Sequence, residues 1–404
     1  MSILTINAGS SSLKFGLFDS EAKRALATGL IDWRVDPSQA ELIVQPNEGQ
    51  AIRSHVSVSD HRAAVLHAVR RLDEQADSAI AVVGHRVVHG GTRFRDPVRI
   101  DASVKQEIGL LVELAPLHNP PALEGIEAAE SVLPNVPHIA AFDTSFFAAL
   151  EPRAFVYPLP YAWYQDWGIR RFGFHGLSHA YCSGRAAELL GRDPNDLRLI
   201  VCHLGNGCSV SAVCGGQAVQ TSMGYTPMEG LMMGTRSGSV DPGVLLHVQR
   251  KYHLDVGGLD RALNHESGLL GVSGVSSDYR SVREAANRGD ERARLALAIY
   301  ADRVRAAVGE MAVMLGGLDA LVFTAGIGEH AVELRAEVCQ GLRILGLHLD
   351  PERNAACQPD ADVAAADSPG RIFVLRTQEE LMIARAARCL TGPEHPAANA
   401  TGSP

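Results

Sequence analysis

Leu4-Thr-Ile-Asn-Ala-Gly-Ser-Ser-Ser-Leu-Lys-Phe15 and Cys202-His-Leu-Gly-Asn-Gly-Cys-Ser-Val-Ser-Ala-Val213 follow one plan. Each reads as an apolar, β-prone strand, a turn of Gly, Asn and Ser, and a second strand. One Gly-rich hairpin arises readily from ordinary turn chemistry. Two of them, each heading a half built of strands and helices, imply duplicated α/β domains facing a cleft.

Working outward from the first hairpin, Leu4–Ile6, Leu13–Phe18, Ala25–Trp33, Glu41–Val44 and Ala51–Val58 read as successive strands. Ser59 or Asp60 then caps a helix that carries Val65, Val69 and Leu72 on one face. A buried strand follows at Ala79–Val88, a helix at Leu123–Val132 and a short strand at His138–Phe142. This predicts an N-terminal α/β domain over 1–145. Beyond the second hairpin, the apolar stripe of Leu297, Ala301, Val304, Val308, Met311 and Leu315 predicts a long helix over 290–315, packed in a core or a dimer face. Leu318–Thr324 and Ile372–Leu375 read as strands, and Glu329–Gly341 as a helix. A closing helix, Glu379–Leu390, is expected to join the first domain. The second domain is placed at 146–390, with 391–404, rich in Pro, Ala, Gly and Asn, as a frayed tail.

The whole-chain numbers exclude several classes. The 404 residues, at about 150 per domain, suffice for two or three real cores. A net charge of −9 makes the chain a poor clamp for nucleic acid or anionic membrane, so neither is expected as a partner. Any bound anion must be held by locally placed cations. Met1-Ser-Ile-Leu-Thr-Ile-Asn7 has no cationic stretch before an apolar run, so the location expected is cytoplasmic. The best apolar window, Leu295–Leu315, is broken by Asp302, Arg303, Arg305 and Glu310. The 7 cysteines include no Cys-x-x-Cys pair, which favours reduced buried thiols over zinc or redox sites.

Five segments carry the chemistry. Asn7-Ala-Gly-Ser-Ser-Ser-Leu-Lys14 is rich in small donors and ends on a cation, yet lacks the spacing of a Walker A loop. Gly84-His-Arg-Val-Val-His-Gly-Gly91 puts Arg86 at the end of a strand, where a guanidinium fork suits a carboxylate or phosphate. Arg170-Arg-Phe-Gly-Phe-His-Gly-Leu-Ser-His179 concentrates cations, aromatics and histidines. His175 and His179 stand at i, i+4 without an accompanying carboxylate or thiol, which disfavours zinc. Gly234-Thr-Arg-Ser-Gly-Ser-Val-Asp-Pro242 places Arg236 in a loop of anion-binding composition, and Phe323-Thr-Ala-Gly-Ile-Gly-Glu329 runs from strand to helix through two glycines. Several anion loops in an acidic chain suggest phosphoryl transfer, which depends on positioning and charge neutralisation. Asp143 and Glu379 offer carboxylates for Mg²⁺, or equally helix caps.

At these residues the sequence resembles the acetokinase family over nearly its whole length. The most specific segments are Ala115-Pro-Leu-His-Asn-Pro-Pro121, Arg171-Phe-Gly-Phe-His-Gly176, His203-Leu-Gly-Asn-Gly207 and Ser222-Met-Gly-Tyr-Thr-Pro227. The resemblance implies two ribonuclease-H-like domains of the actin, sugar kinase and heat-shock ATPase superfold, and a homodimer. It implies reversible transfer from ATP to acetate, giving acetyl phosphate and ADP. Asn7 and Glu379 would hold Mg²⁺ (or Mn²⁺), with Asp143 ordering the metal's water shell. Arg86 would bind the carboxylate or phosphoryl group, Arg236 would stabilise the phosphoryl in transit, and His175 would hydrogen-bond it. Val88, Leu117, Phe174 and Pro227 would line the acyl pocket; Val88 is placed there because alternation along a strand puts it on the face of Arg86. Lys14, His203, Leu204, Gly205, Asn206 and Gly207 would contact ATP, as would Asp278, Tyr279, Arg280, Gly326, Ile327, Gly328, Glu329 and His330. Gln378 and His330 stand where the family commonly has Asn. A propionate kinase, and a non-enzymatic nucleotide-driven binding protein of the same superfold, are the alternatives.

Overall fold

A computed structural model describes residues 1–73 and 79–391. The expected frayed tail, 391–404, lies outside the described residues except for Thr391, which ends a helix. The chain divides into two compact units, Met1–Ser145 with Gln378 onward, and Phe146–Thr377.

Unit 1 is built on one sheet of eight strands. They are β1 (Ser2–Ala8), β2 (Ser12–Asp19), β3 (Ala25–Asp32), β4 (Ala40–Pro46), β5 (Ile52–Val56), β6 (Ile80–Val87), β7 (Val98–Arg99) and β8 (His138–Phe142), in the spatial order β5-β4-β3-β2-β1-β6-β8-β7. β1, β2 and β3 form an antiparallel meander, while β6 and β8 run parallel to β1. The helices His61–Asp73 and Asn119–Val132 cover one face, burying Ile6, Val65, Val69, Val83, Ala128 and Ala129 together. Asp60 starts the first of these helices by accepting the N–H of Ala63 at 2.8 Å. The helix Glu379–Thr391 covers the other face. Its approach demands glycine at 84, where a Cβ would stand 2.7 Å from Ile383 Cγ2.

Unit 2 repeats the scheme with six strands, β9 (Arg198–Leu204), β10 (Cys208–Cys214), β11 (Gln217–Thr221), β12 (Ala320–Thr324), β13 (Ala361–Asp362) and β14 (Arg371–Val374), ordered β11-β10-β9-β12-β14-β13. Again three antiparallel strands precede two parallel ones. β3-β2-β1-β6-β8 and β11-β10-β9-β12-β14 are therefore the same five-strand pattern, the ribonuclease-H-like order occurring twice. The helix Gly176–Leu190 packs on one face against Leu199, Val201, Val213 and Val322. The helix Glu291–Leu315 lies on the other, with Leu297, Ala301, Val304, Val308 and Met311 buried, so the stripe serves the core. Among the described residues no helix is long and apolar enough to cross a membrane.

Two local expectations need correction. The helix expected over Glu329–Gly341 is two, Ala325–His330 and Val332–Gln340, divided at Ala331. β6 ends at Val87, so Val88 stands in a bend and the alternation that would place it with Arg86 does not reach it. Asp143 follows β8 directly, and its carboxylate pairs with Arg86.

Candidate active site

In unit 1 the site follows from strand register. Asn7 on β1 pairs across the ladder with Lys14 on β2, which puts both side chains on one face. Gly84 faces the helix Glu379–Thr391, and alternation along β6 brings Arg86 to that same face. Between β1 and β2 the chain turns tightly, Gly9 donating its N–H to Ser12 O at 2.8 Å.

Arg86 is the hub. Its Nε and Nη2 donate to Asp143 Oδ1 and Oδ2 at 3.0 and 2.6 Å, and Nη1 donates to Asn7 Oδ1 at 3.3 Å. Burial disfavours the guanidinium charge, but the carboxylates of Asp143, Glu379 and Glu380 outweigh it and raise the pKa. The fork expected to grip a substrate carboxylate is thus occupied on its Nε–Nη2 edge by Asp143, which is fully buried. Nη1 is the edge that turns towards Asn7. Glu379 and Glu380 open their helix, where the dipole favours negative charge. Burial first, and then Glu379, push the Glu380 pKa up, with Lys14 and Arg86 opposing.

The donors gathered here are a carboxamide oxygen and carboxylate oxygens, the set a hard cation prefers. No group of three or more His, Cys, Asp or Glu arranged to hold a metal occurs among the described residues. Mg²⁺ that arrives with phosphate keeps most of its water and needs only one or two carboxylates. Asn7 and Glu379 offer oxygens of this kind, while Asp143 has both of its oxygens on Arg86. Val88 is half-buried and Leu117 is exposed in the same unit.

In unit 2 the groups converge at the C-terminal ends of β9 and β12, where open α/β sheets bind ligands. His203 on β9 lies level with Thr324 on β12, after which Ala325 turns the chain into a helix at φ +64°. A Cβ at Gly205 would stand 3.7 Å from Ala325 Cβ and 3.8 Å from His203 Nε2, so these turns are neighbours. A Cβ at Gly234 would meet Asn206 Oδ1 at 2.4 Å and Ser277 O at 3.0 Å, which brings the segment before Asp278 to the same place. Asp278 caps the helix Tyr279–Asn287 and pairs with Arg280 at 2.7 Å. Leu204 and Gly328 are buried, Ile327 and Glu329 half-buried, and Gly326 and His330 exposed. Burial pushes the Glu329 pKa up, although the Thr377 N–H donates to its carboxylate at 3.2 Å.

His175 sits in the left-handed region at φ 59°, just before the helix Gly176–Leu190. Its ring stacks on that of His203 with centroids 4.1 Å apart. A Cβ at Gly207 would lie 3.0 Å from Arg236 Nη2 and 3.1 Å from His175 Nε2, so this glycine leaves both groups their room. Arg236 differs from Arg86 in its surroundings. It donates to the Pro227 carbonyl, forms no ion pair among the described residues, and is pushed down in pKa by burial. A half-buried guanidinium without a carboxylate is costly unless an anion comes to it. Phe174 is fully buried and Pro227 half-buried.

Several residues escaped the reading of the sequence. His179, weighed only as a metal ligand, is fully buried and bonds Ser209 Oγ and Ser211 Oγ at 2.7 Å each. Ser209 in turn bonds His175 Nδ1 at 2.9 Å, and Ser178 bonds His203 Nδ1 at 2.8 Å. Burial and then the facing His203 hold His179 well below its ordinary pKa. Arg335, fully buried, donates to Gly328 O at 2.9 Å, Glu329 O at 2.8 Å and Asn354 Oδ1 at 2.7 Å, pinning the Ala325–His330 turn. Ser209 and Ser211 alternating through an otherwise apolar strand was the available signal, since buried hydroxyls need partners.

The comparisons with known proteins agree in kind. The model of the acetokinase family matches residues 2–385. An acetate kinase of Gloeobacter violaceus is 50% identical over 398 residues, covering 95% of this chain and 98% of that one. Among solved structures, Porphyromonas gingivalis acetate kinase matches at TM-score 0.88 and 38% identity, over 96% of this chain and 99% of the other. A propionate kinase from Francisella tularensis matches at TM-score 0.88 and 36% identity, with the same coverage of both chains.

Proposed function

The chain belongs to the acetokinase family, and from that membership we propose that it transfers the terminal phosphoryl group of ATP reversibly to acetate, giving acetyl phosphate and ADP. The observation that carries this reading is Arg236 standing beside His175 over Gly207 with no carboxylate among the described residues to neutralise it. Such a guanidinium favours a group whose negative charge spreads as its bonds loosen.

Acetate is ionised at neutral pH, so the reaction needs no general base. A carboxylate oxygen forms the new bond to phosphorus, the bond to the bridging oxygen breaks, and the electron pair leaves on ADP. The obstacle is bringing two anions together, and it is met by fixed cations. In this reading Arg86 holds the acetate carboxylate through its Nη1 side while Asp143 keeps the guanidinium in plane. Val88, Leu117, Phe174 and Pro227 receive the methyl group. Arg236 and His175 attend the phosphoryl group, His175 through Nε2, because its Nδ1 is taken by Ser209. Lys14, His203–Gly207, Asp278–Arg280 and Gly326–His330 hold the nucleotide. Asn7 and Glu379 would hold Mg²⁺ or Mn²⁺, which when bound neutralises phosphate charge. We also read the chain as a cytoplasmic homodimer without nucleic acid or membrane partners, on the strength of the family and the net charge of −9.

The likeness to a propionate kinase favours one second reading, a preference for the longer acid. One methylene in an apolar pocket is worth only about 1–3 kcal/mol, so both acids are expected to react. Trapping acyl phosphate with hydroxylamine in the presence of Mg²⁺ and ATP, with acetate, propionate and butyrate in turn, decides it. Hydroxamate is expected first with acetate. A higher kcat/KM with propionate moves the chain to that acid, and no signal with any of the three overturns the reading.

A further inference from the structure

Within unit 2, Tyr157, Arg171 and Glu229 form a closed network that the proposed chemistry does not use. Arg171 Nη2 donates to Glu229 Oε1 at 2.7 Å, and its Nη1 reaches the successive carbonyls of Thr221, Ser222 and Met223 at 3.3, 3.3 and 3.0 Å. The Tyr157 hydroxyl donates to Glu229 Oε2 and accepts the N–H of Tyr225 at 2.9 Å. The Arg171 guanidinium also lies 5.3 Å from the centroid of the Tyr157 ring. The network packs directly against Gly224, where a Cβ would fall 1.7 Å from Glu229 Oε2 and 2.2 Å from the Tyr157 oxygen.

These bonds pin the segment 221–230 at its start, middle and end. Gly224 O accepts the Phe172 N–H at 3.0 Å, and Gly230, at φ +107°, exchanges hydrogen bonds with Ser239. The short stretch Tyr225-Thr-Pro227 lies between the pins. Its last carbonyl, on Pro227, is the acceptor for Arg236 Nη1. Displacing that carbonyl displaces the guanidinium, because no ion pair among the described residues holds it in place. Glu229 is the acceptor for both partners, Oε1 taking the guanidinium and Oε2 the phenol.

We propose that Tyr157, Arg171 and Glu229 are positioning residues that fix Pro227 and through it aim Arg236, so that one clamp sets both the rate of phosphoryl transfer and the choice of acid. This rests on the roles given above to Pro227 and Arg236. A network that only stabilised the fold would lower the melting temperature and leave the kinetics of the surviving enzyme alone.

The test uses the full chain with Tyr157→Phe, which removes a single oxygen, and Glu229→Gln, which turns one acceptor into a donor. Acyl phosphate formation from acetate and propionate is measured beside amide hydrogen exchange across 221–236. Tyr157→Phe is expected to speed exchange over 222–230, to lower kcat about tenfold with KM for ATP held, and to change the propionate-to-acetate ratio of kcat/KM. Glu229→Gln is expected to do the same more severely. Arg171→Lys, which keeps the charge but not the fork, should not restore the parent values. Exchange unchanged in Tyr157→Phe overturns the clamp. Faster exchange with kcat and acid ratio both unchanged, whatever the melting temperature, overturns its coupling to Arg236. A parent chain that forms no acyl phosphate from either acid overturns the function reading itself and with it that coupling, while exchange still judges the clamp.

Discussion

Two arginines stand in opposite surroundings, and the difference assigns them different work. Arg86 has Asp143 on two of its nitrogens and Glu379 and Glu380 close by, so its charge is balanced before any substrate arrives. Arg236 has a backbone carbonyl and, among the described residues, no carboxylate, and burial works against its charge. Replacing Arg236 by Ala removes stabilisation directed at the phosphoryl in transit, and kcat is expected to fall about a hundredfold or more. A correctly folded Arg236→Ala enzyme with parental kcat would refute this assignment. Glu379→Gln keeps the shape and one oxygen but removes a charge from the Asn7 face. The Mg²⁺ concentration for half-maximal rate is expected to rise; an unaltered titration moves the ligand elsewhere, with Asp143 the next carboxylate to replace. The same comparison explains what residue identities alone could not tell. That Arg86 spends one edge on Asp143 depends on β6 and β8 lying side by side, and the two residues are 57 apart in sequence.

At the scale of elements, periodicity carried most of the information. Alternating and β-branched runs located β1 to β6, β8 to β10, β12 and β14 because strand burial repeats every two residues. Asp60, one of the two caps expected for the first helix, and Asp290, where the long helix was expected to begin, each accept a hydrogen bond from the third residue beyond. Boundaries were less legible. Whether β6 stops at Val87 or Val88 is a matter of one ladder bond, yet it removes the argument that placed Val88 beside Arg86. Ala331, with nothing in its composition to mark it, divides the helix expected across 329–341. The tightest junction is β6 against the closing helix. Gly84→Ala would push a methyl group to 2.7 Å from Ile383 Cγ2 and 3.0 Å from Ile383 O. The expected cost is about 1–3 kcal/mol of stability, as for overpacked cores, read as a lowered melting temperature. Because Glu379 begins that helix, a raised Mg²⁺ requirement should accompany the loss. A melting temperature equal to the parent's would show that the helix yields freely.

At the scale of the molecule, three imidazoles are buried where a charge would be costly. His85 Nε2 and His138 Nδ1 lie 2.9 Å apart, and His138 Nε2 is 3.2 Å from Leu133 O. A carbonyl can only accept, so His138 carries its proton on Nε2 and takes a hydrogen bond from His85 Nε2–H. A further proton on His138 Nδ1 would have to displace this pairing. Burial lowers the pKa of His85, His138 and His179 below the ordinary value of 6.5, with His138 and His203 adding to it at the first and third. Between the lowered value and 6.5 the unfolded chain binds protons that the folded chain refuses, so stability falls as pH drops through that window. Melting temperatures measured from about pH 7.5 down to about pH 5 should decline, and His85→Gln should flatten the slope. A melting temperature independent of pH over that range would contradict the burial of neutral imidazoles.

By itself the sequence determined the duplication, because two Gly- and Asn-turned hairpins with period-two burial leave little choice of local structure. It also determined the family, through the resemblance carried by loops such as Arg171–Gly176 and Ser222–Pro227. What it could not determine was which groups neutralise which. Asp143 on Arg86, Ser209 between His175 and His179, Arg335 under the Ala325–His330 turn, and Glu229 held by Tyr157 and Arg171 all join residues from 6 to 72 positions apart. Strand and helix follow from hydrogen bonds and burial between near neighbours, which periodicity records. Charge pairing in the interior depends on distance through space, which only the folded chain sets.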